Sequence, residues 1–222
     1  MRPMSRKHED VAHALLERHG RTYASEAGIT LRDTPQPLYQ VLVLSHLLSA
    51  RIKAGIAVAS ARALFDAGMR DARRMAEATW QQRVDALGKG GYRRYDERTS
   101  TQLGDGAELL RDRYGGDLRR VREAGKSEVP GLLREFPGIG PSGVDIFLRE
   151  VQGLWPEFAP YFGAKAQDGA EKLGLPRSVD RLARLASGPD LPRLAAGLVR
   201  VALDDEAGAE VRELAGAGAG AR

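Results

Sequence analysis

Residues 128–151 read EVPGLLREFPGIGPSGVDIFLREV. A short apolar helix runs to Phe136, a tight Pro137-Gly138-Ile139-Gly140 turn follows, and a second helix opens at Pro141, where proline's fixed φ suits the first helical position. The two glycines flanking Ile139 lack a Cβ, so backbone there can come close to an outside group. The amides opening the second helix point the same way and carry the positive end of its dipole. Together these features suit a phosphate.

The texture around this stretch is helical almost throughout. A helix over Val11–Gly20 stops at its glycine, and residues 21–37, with Gly28, Pro35 and Pro37, read as a connector. Leu38–Leu48 is too apolar for a surface helix and is expected at the centre of the fold. Helices follow around Gly55–Ala67, Asp71–Thr79 and Gln81–Leu87, then a Gly88–Gly91 loop. A longer helix spans Tyr92–Tyr114, weakened at Gly104 and Gly106 and ended by Gly115-Gly116. Leu118–Glu123 reads as one further turn. Beyond Val151 the prolines 156 and 160 mark an irregular segment, and helices are expected over Lys165–Leu173, Arg177–Ala186 and Leu191–Leu203. The Ala/Gly tail, 215–222, reads as disordered. No strand pattern and no repeat of roughly 20–50 residues is visible. The fold class is therefore all-α.

Composition narrows the function classes. The chain has 222 residues, 42% of them hydrophobic but only 6% aromatic, so the core is built mainly of Leu, Val and Ala. There are no cysteines, which excludes disulfides, thiolate zinc sites and cysteine-ligated iron–sulfur clusters. No apolar run approaches the ~18 residues of a membrane span, and the N-terminus MRPMSRKHED has no signal-peptide core, so a cytoplasmic, nucleoid-associated location without membrane contact is expected. The net charge of +4 is uneven: +1 over residues 1–50, +6 over 51–126 and −3 over 127–222. A positive middle segment suits a polyanion, and it also describes an ordinary arginine-rich helical surface.

The hairpin form LREFPGIGPSGVDIFL resembles the DNA-binding motif of the helix-hairpin-helix (HhH-GPD) DNA glycosylase superfamily, endonuclease III-like. Leu47-Leu48-Ser49-Ala50-Arg51 is similar to the family segment that ends the first central helix and faces DNA. Gly91-Tyr92-Arg93-Arg94 is similar to its glycine-tyrosine-basic segment. The resemblance covers roughly residues 38–175 and implies two helical domains with a DNA-binding cleft between them. By it, 37–149 forms the central domain, containing the hairpin motif (126–151). Residues 1–36 with 150–214 form the second, and 215–222 the tail. The +6 segment then falls in the central domain.

Two residues carry the family's chemistry, and this chain departs at both. A lysine two residues after the second hairpin glycine serves as the amine nucleophile for strand cleavage. Ser142 stands there and has no amine. An aspartate further on stabilises positive charge on the sugar or activates water. Counting back from Leu173-Gly174-Leu175 places Gly163 at that position, again without the needed group. Asp168, Asp145 and Glu157 are the candidate carboxylates. Asp145 also has a structural reading, as an i,i+4 partner of Arg149 near a helix N-terminus. Asp168 has a solvent-facing one. Without cysteines the family's iron–sulfur cluster cannot form, so no cofactor is expected beyond Na or K. That ion would sit on the backbone carbonyls of Arg134, Phe136 and Ile139. Leu182, Leu185, Leu194, Leu198 and Val201 are expected to hold the C-terminal helices instead of the cluster.

DNA contacts are expected at Gly138, Ile139, Gly140, Ser142 and Gly143, at Arg51 and Lys53 where the family fills the gap left by a flipped base, and at Arg93 and Arg94 beside Tyr92 and Tyr95. Arg51, Lys53, Arg93 and Arg94 read equally as exposed basic surface. His46, in an apolar helix, reads as a core histidine. The leading expectation is a monomeric, duplex-DNA-binding base-excision-repair protein, a monofunctional DNA N-glycosylase without lyase activity at the usual lysine position. A catalytically inactive relative that binds damaged or distorted DNA, and a helical interaction protein with no DNA role, are the alternatives.

Overall fold

The computed structural model describes residues 5–220, with side chains to residue 217. Along the chain run α1 (Arg6–His19), α2 (Tyr23–Glu26), α3 (Pro35–Ser49), α4 (Ala54–Asp66), α5 (Ala72–Glu77), α6 (Trp80–Lys89) and α7 (Asp96–Tyr114). They are followed by α8 (Arg119–Arg122), α9 (Val129–Leu133), α10 (Pro141–Val151), α11 (Ala164–Lys172), α12 (Val179–Leu182), α13 (Asp190–Leu203) and α14 (Asp205–Gly220). The described residues include no strand. The chain divides into two compact units, residues 23–147 and residues 1–22 with 148–222. The division falls after Thr22, whereas the sequence suggested residue 36, so α2 and the segment after it belong to the central unit.

In the central unit, α3 is the buried element: every residue from Leu38 to Leu47 is inaccessible or nearly so. Its apolar composition follows from being covered on all sides. α4 packs on α3, and α5 and α6 pack on α7. Local signals set the ends of these helices. Asp71 caps α5 by accepting the Arg74 N–H at 2.9 Å, and Thr79 and Gln82 form a reciprocal capping box at the start of α6. α6 runs through Gly88 and Lys89, expected in a loop, and ends at Gly90. A Cβ on Gly90 would lie 2.3 Å from Ser60 Cα, so the close approach of α4 and α6 requires glycine there. α7 begins at Asp96 and not at Tyr92, whose buried hydroxyl sits 3.2 Å from Thr99 Oγ1. Arg83 is buried and joins three elements. Its Nη1 donates to the carbonyls of Met75 (2.9 Å) and Ala78 (2.8 Å), at the end of α5, and its Nε donates to Ser100 Oγ of α7.

The second unit is built from α1, α11, α13 and α14. α11 lies on α13 so closely that a Cβ on Gly169 would stand 1.8 Å from the Leu198 carbonyl oxygen. α1 packs against both α13 and α14. Arginines of α13 satisfy the open carbonyls at the end of α1: Arg193 Nε donates to Gly20 O at 3.0 Å and Arg200 Nη1 to His19 O at 2.7 Å. The irregular stretch after α10 is pinned by Gln152, whose Oε1 accepts the Tyr161 N–H (2.9 Å) and whose Nε2 donates to Tyr161 O (3.0 Å). Leu182, Leu194, Leu198 and Val201 are fully buried as expected, while Leu185 is half-exposed.

Two segments near the C-terminus differ from expectation. α12 is a single turn, shorter than the expected Arg177–Ala186 helix. The expected disordered tail is helical as far as Gly220, at the end of α14; residues 221 and 222 lie outside the described residues. The helix forms because Ala207 and Val211 are buried and Glu210 pairs with Arg18 of α1 at 3.1 Å. That tertiary contact offsets the poor helix propensity of glycine.

Candidate nucleic-acid interface

The hairpin motif is formed by α9, the turn 134–140 and the start of α10. Val129 and Leu133 bury the short first helix, and Phe136 closes it, stacked on Tyr114 of α7 with ring centroids 6.3 Å apart. Arg113 and Glu135 pair across the same junction. The turn is closed by Ile139 N–H donating to Phe136 O at 3.0 Å. α10 then starts with Val144 N–H donating to Gly140 O at 3.0 Å.

The two glycines of the turn do different work. Gly138 has φ +83°, a left-handed conformation that L-residues with a Cβ resist. A Cβ built there would also lie 2.2 Å from His46 Nε2 and 2.3 Å from its Cε1. Gly140 has neither constraint: its φ is ordinary, and nothing stands within 4 Å of a Cβ. Gly138 is thus fixed by the protein's interior, and Gly140 is the glycine whose outer side is open.

His46 is the element beneath the turn. It is buried, and desolvation pushes its imidazole down to about 4, with a hydrogen bond to Gln102 raising it and Arg98 lowering it. At neutral pH the ring is therefore uncharged. Its Nε2 lies 3.2 Å from Gln102 Oε1 and can only be the donor to that oxygen. Gln102 belongs to α7, which also meets the turn at Gly106, where a Cβ would touch Pro137 Cδ at 3.9 Å. The hairpin thus rests on α3 and α7 together. His46 is the core histidine expected from its apolar helix; its partner Gln102 carried no sequence signal.

The other expected contacts divide by burial. Gly140 is partly open, and Pro141 and Ser142 are exposed at the start of α10. Ile139 is buried, and its Cγ2 would lie 3.3 Å from a Cβ on the buried Gly143. Both pack the hairpin, so Ile139 and Gly143 can offer only backbone to a ligand. Arg51 and Lys53 are exposed in the corner between α3 and α4, just beyond the turn of α3 that carries His46. Arg93 and Arg94 are exposed before α7, Arg94 lying 5.2 Å from the centre of the Tyr95 ring.

The carboxylate candidates are separated by their surroundings. Asp145 is half-buried on α10, three residues after Ser142 and hence on the same side of the helix. Asp168 lies within α11, at 3.1 Å from Arg177 Nη2. Glu157 lies in the 3-10 turn Pro156–Phe158. Gly163 is the residue that caps the start of α11, in extended backbone with φ −64° and ψ 174°. Among the described residues no group of three or more His, Asp and Glu side chains is placed to hold a metal ion. No helix among them is long and apolar enough to cross a membrane.

No family model matches the sequence, and no curated protein matches it. Among solved structures, the chain is similar to an endonuclease III captured as a trapped covalent intermediate with DNA, in an estranged-adenine complex. The TM-score is 0.53 at 16% identity, over 89% of this chain and 86% of that one. The chain has an endonuclease III-like fold. The all-helical architecture agrees with that fold, and the likeness spans both units.

Proposed function

We propose that the protein binds duplex DNA through the hairpin and acts in base-excision repair as a monofunctional DNA N-glycosylase. The observation that carries this reading is the turn itself. Gly138 is locked on His46, which presents the open Gly140 and the exposed start of α10 as a rigid backbone surface. Rigid amides at a helix N-terminus hold a phosphate at little ordering cost. Arg51, Lys53, Arg93 and Arg94 add charge-assisted contacts that position the duplex without reading its sequence. A monovalent cation on the carbonyls of Arg134, Phe136 and Ile139 belongs to the same proposal. Phe136 O already accepts one hydrogen bond in the turn, which leaves it one lone pair for the ion.

Ser142 cannot form a Schiff base, so the chemistry proposed is hydrolytic. Asp145 is the carboxylate assigned to it, because it stands three residues after Ser142 on the same side of α10. Asp168 lies instead on α11, 3.1 Å from Arg177 Nη2. A second reading, a non-catalytic protein that recognises distorted DNA, is favoured by one observation: Gly163 begins α11 at the position where the resemblance requires an aspartate.

A panel of lesion-bearing duplexes, assayed for base release with alkali and for strand cleavage without it, tests both readings. Base release that is lost in Asp145→Asn, with duplex affinity retained, supports the glycosylase. Salt-dependent binding with no base release from any lesion supports the second reading. Strand cleavage without alkali contradicts the role given to Ser142, and binding that is absent or indifferent to salt overturns the DNA role.

A further inference from the structure

Gln102 stands where α7 meets the hairpin. With His46 of α3 and with Phe136, Pro137 and Ile139 of the turn, it lines a cleft of only about 20 Å³. That is room for a single water at most, and the remaining walls are almost entirely apolar. The two ends of the Gln102 amide have different surroundings. Oε1 faces inward, 3.2 Å from His46 Nε2, and accepts from that ring. Nε2 makes no hydrogen bond to any described residue and is not buried, so solvent reaches it.

The ring that holds Oε1 is itself held. His46 is buried, and its Nε2 lies 2.2 Å from where a Cβ on Gly138 would stand. One imidazole thus sets both the backbone of the turn and the orientation of the Gln102 amide. A surface glutamine ordinarily samples several rotamers and loses that freedom on binding. This one is fixed with its carbonyl inward, so its N–H groups point away from the ring, beside the turn, at little further ordering cost. Arg98 lies four residues earlier, on the same face of α7. It is exposed and has no acid in ion-pair range among the described residues. Its charge is close enough to add to desolvation in lowering the His46 imidazole. A group entering beside Gln102 therefore meets an oriented donor and a cation, the chemistry that suits an anionic oxygen.

We propose that Gln102 is a duplex-binding residue: its amide N–H donates to a phosphate oxygen of the strand that the hairpin holds, while His46 keeps the amide turned outward. The proposal rests on the reading of the hairpin as a DNA-binding element, and it adds a contact from a different helix. It does not depend on whether the protein releases bases.

The test is duplex binding of the full chain by fluorescence anisotropy over a range of salt, with the Gln102 side-chain N–H resonances followed in parallel. Those resonances should shift as a short duplex is added. Gln102→Met fills a similar volume without a donor. It should weaken binding about tenfold and leave the salt dependence unchanged, because a neutral donor displaces no counterion. Gln102→Glu keeps an acceptor for His46, and with it the support of the turn, but offers no donor. It should weaken binding at least as much, and in it the His46 imidazole should titrate closer to neutral, since an anion beside the ring favours its charged form. A flattened salt slope in Gln102→Met shows that other phosphate contacts were lost with it, and overturns a direct contact. Unchanged affinity in both variants, side-chain resonances that ignore the duplex, or a His46 titration that does not move in Gln102→Glu also overturns the inference, and each leaves the DNA reading of the hairpin standing. A wild-type chain that binds no duplex overturns both.

Discussion

Replacing Gly138 with alanine puts a methyl group where the His46 ring already sits. The new Cβ would be 2.2 Å from Nε2 of the buried ring, and the residue would have to hold φ +83°. The left-handed conformation costs about 1–2 kcal/mol and overpacking about 1–3 kcal/mol, so about 3 kcal/mol in all is expected. For a chain of this length that is a fall in Tm of roughly 6–12 °C. Gly140→Ala is the control. Its Cβ meets nothing, and the loss of a good helix-capping residue is offset by the lower entropy of the unfolded chain, so its stability should stay within about 0.5 kcal/mol. In duplex binding by fluorescence anisotropy, Gly140→Ala should lose about tenfold without unfolding, because its methyl group faces the approaching backbone. Removing the ring should relieve the clash, so His46→Ala in the Gly138→Ala background should cost less than the two changes added separately. A Gly138→Ala protein that melts within about 1 °C of the wild type would refute the locked-turn argument. Unimpaired DNA binding by Gly140→Ala would refute the interface.

Stability should also depend on His46 and pH. Its imidazole titrates near 4 in the fold against 6.5 when unperturbed. The unfolded chain therefore binds the extra proton between those values. The stability it reflects is full above about pH 6.5 and is lost as pH falls towards 4, by an amount on the order of 3 kcal/mol. Urea unfolding over that range should show this slope, and His46→Gln should flatten it. Gly169→Ala should cost about 3 kcal/mol or more in thermal unfolding, since its Cβ meets the Leu198 carbonyl of the α13 backbone and one helix must move. Arg83→Leu should cost about 2–4 kcal/mol in the same assay, because the carbonyls of Met75 and Ala78 lose their buried donor.

The parts of the fold that could be read in advance are those with local causes. Gly20, Gly115 and the Asp71 cap mark helix ends through backbone preferences of single residues, and the structure places ends there. Gly104 illustrates the opposite case. In sequence it only weakens a helix. In the fold a Cβ on Gly104 would lie 2.7 Å from the Arg83 guanidinium, so the glycine is required by a neighbour distant in sequence. α14 was missed for the same reason: its alternating Ala and Gly carry little propensity, and burial of Ala207 and Val211 makes the helix. At the candidate site, Gly138 and Gly140 look alike on paper, yet only Gly140 has room for a Cβ.

The sequence by itself determined the all-helical class, the hairpin with its two glycines, and the presence of a serine at position 142 in a chain without cysteine. These follow from residue identity and short-range geometry, which no packing can change: a serine has no amine, and a chain without cysteine holds no thiolate-ligated cluster. Tertiary structure decided which glycine has room for a side chain, that His46 is neutral and supports the turn, and that Asp168 is held by an arginine. Burial and charge at a residue are set by groups far along the chain, and they become defined only when folding brings those groups within a few ångströms.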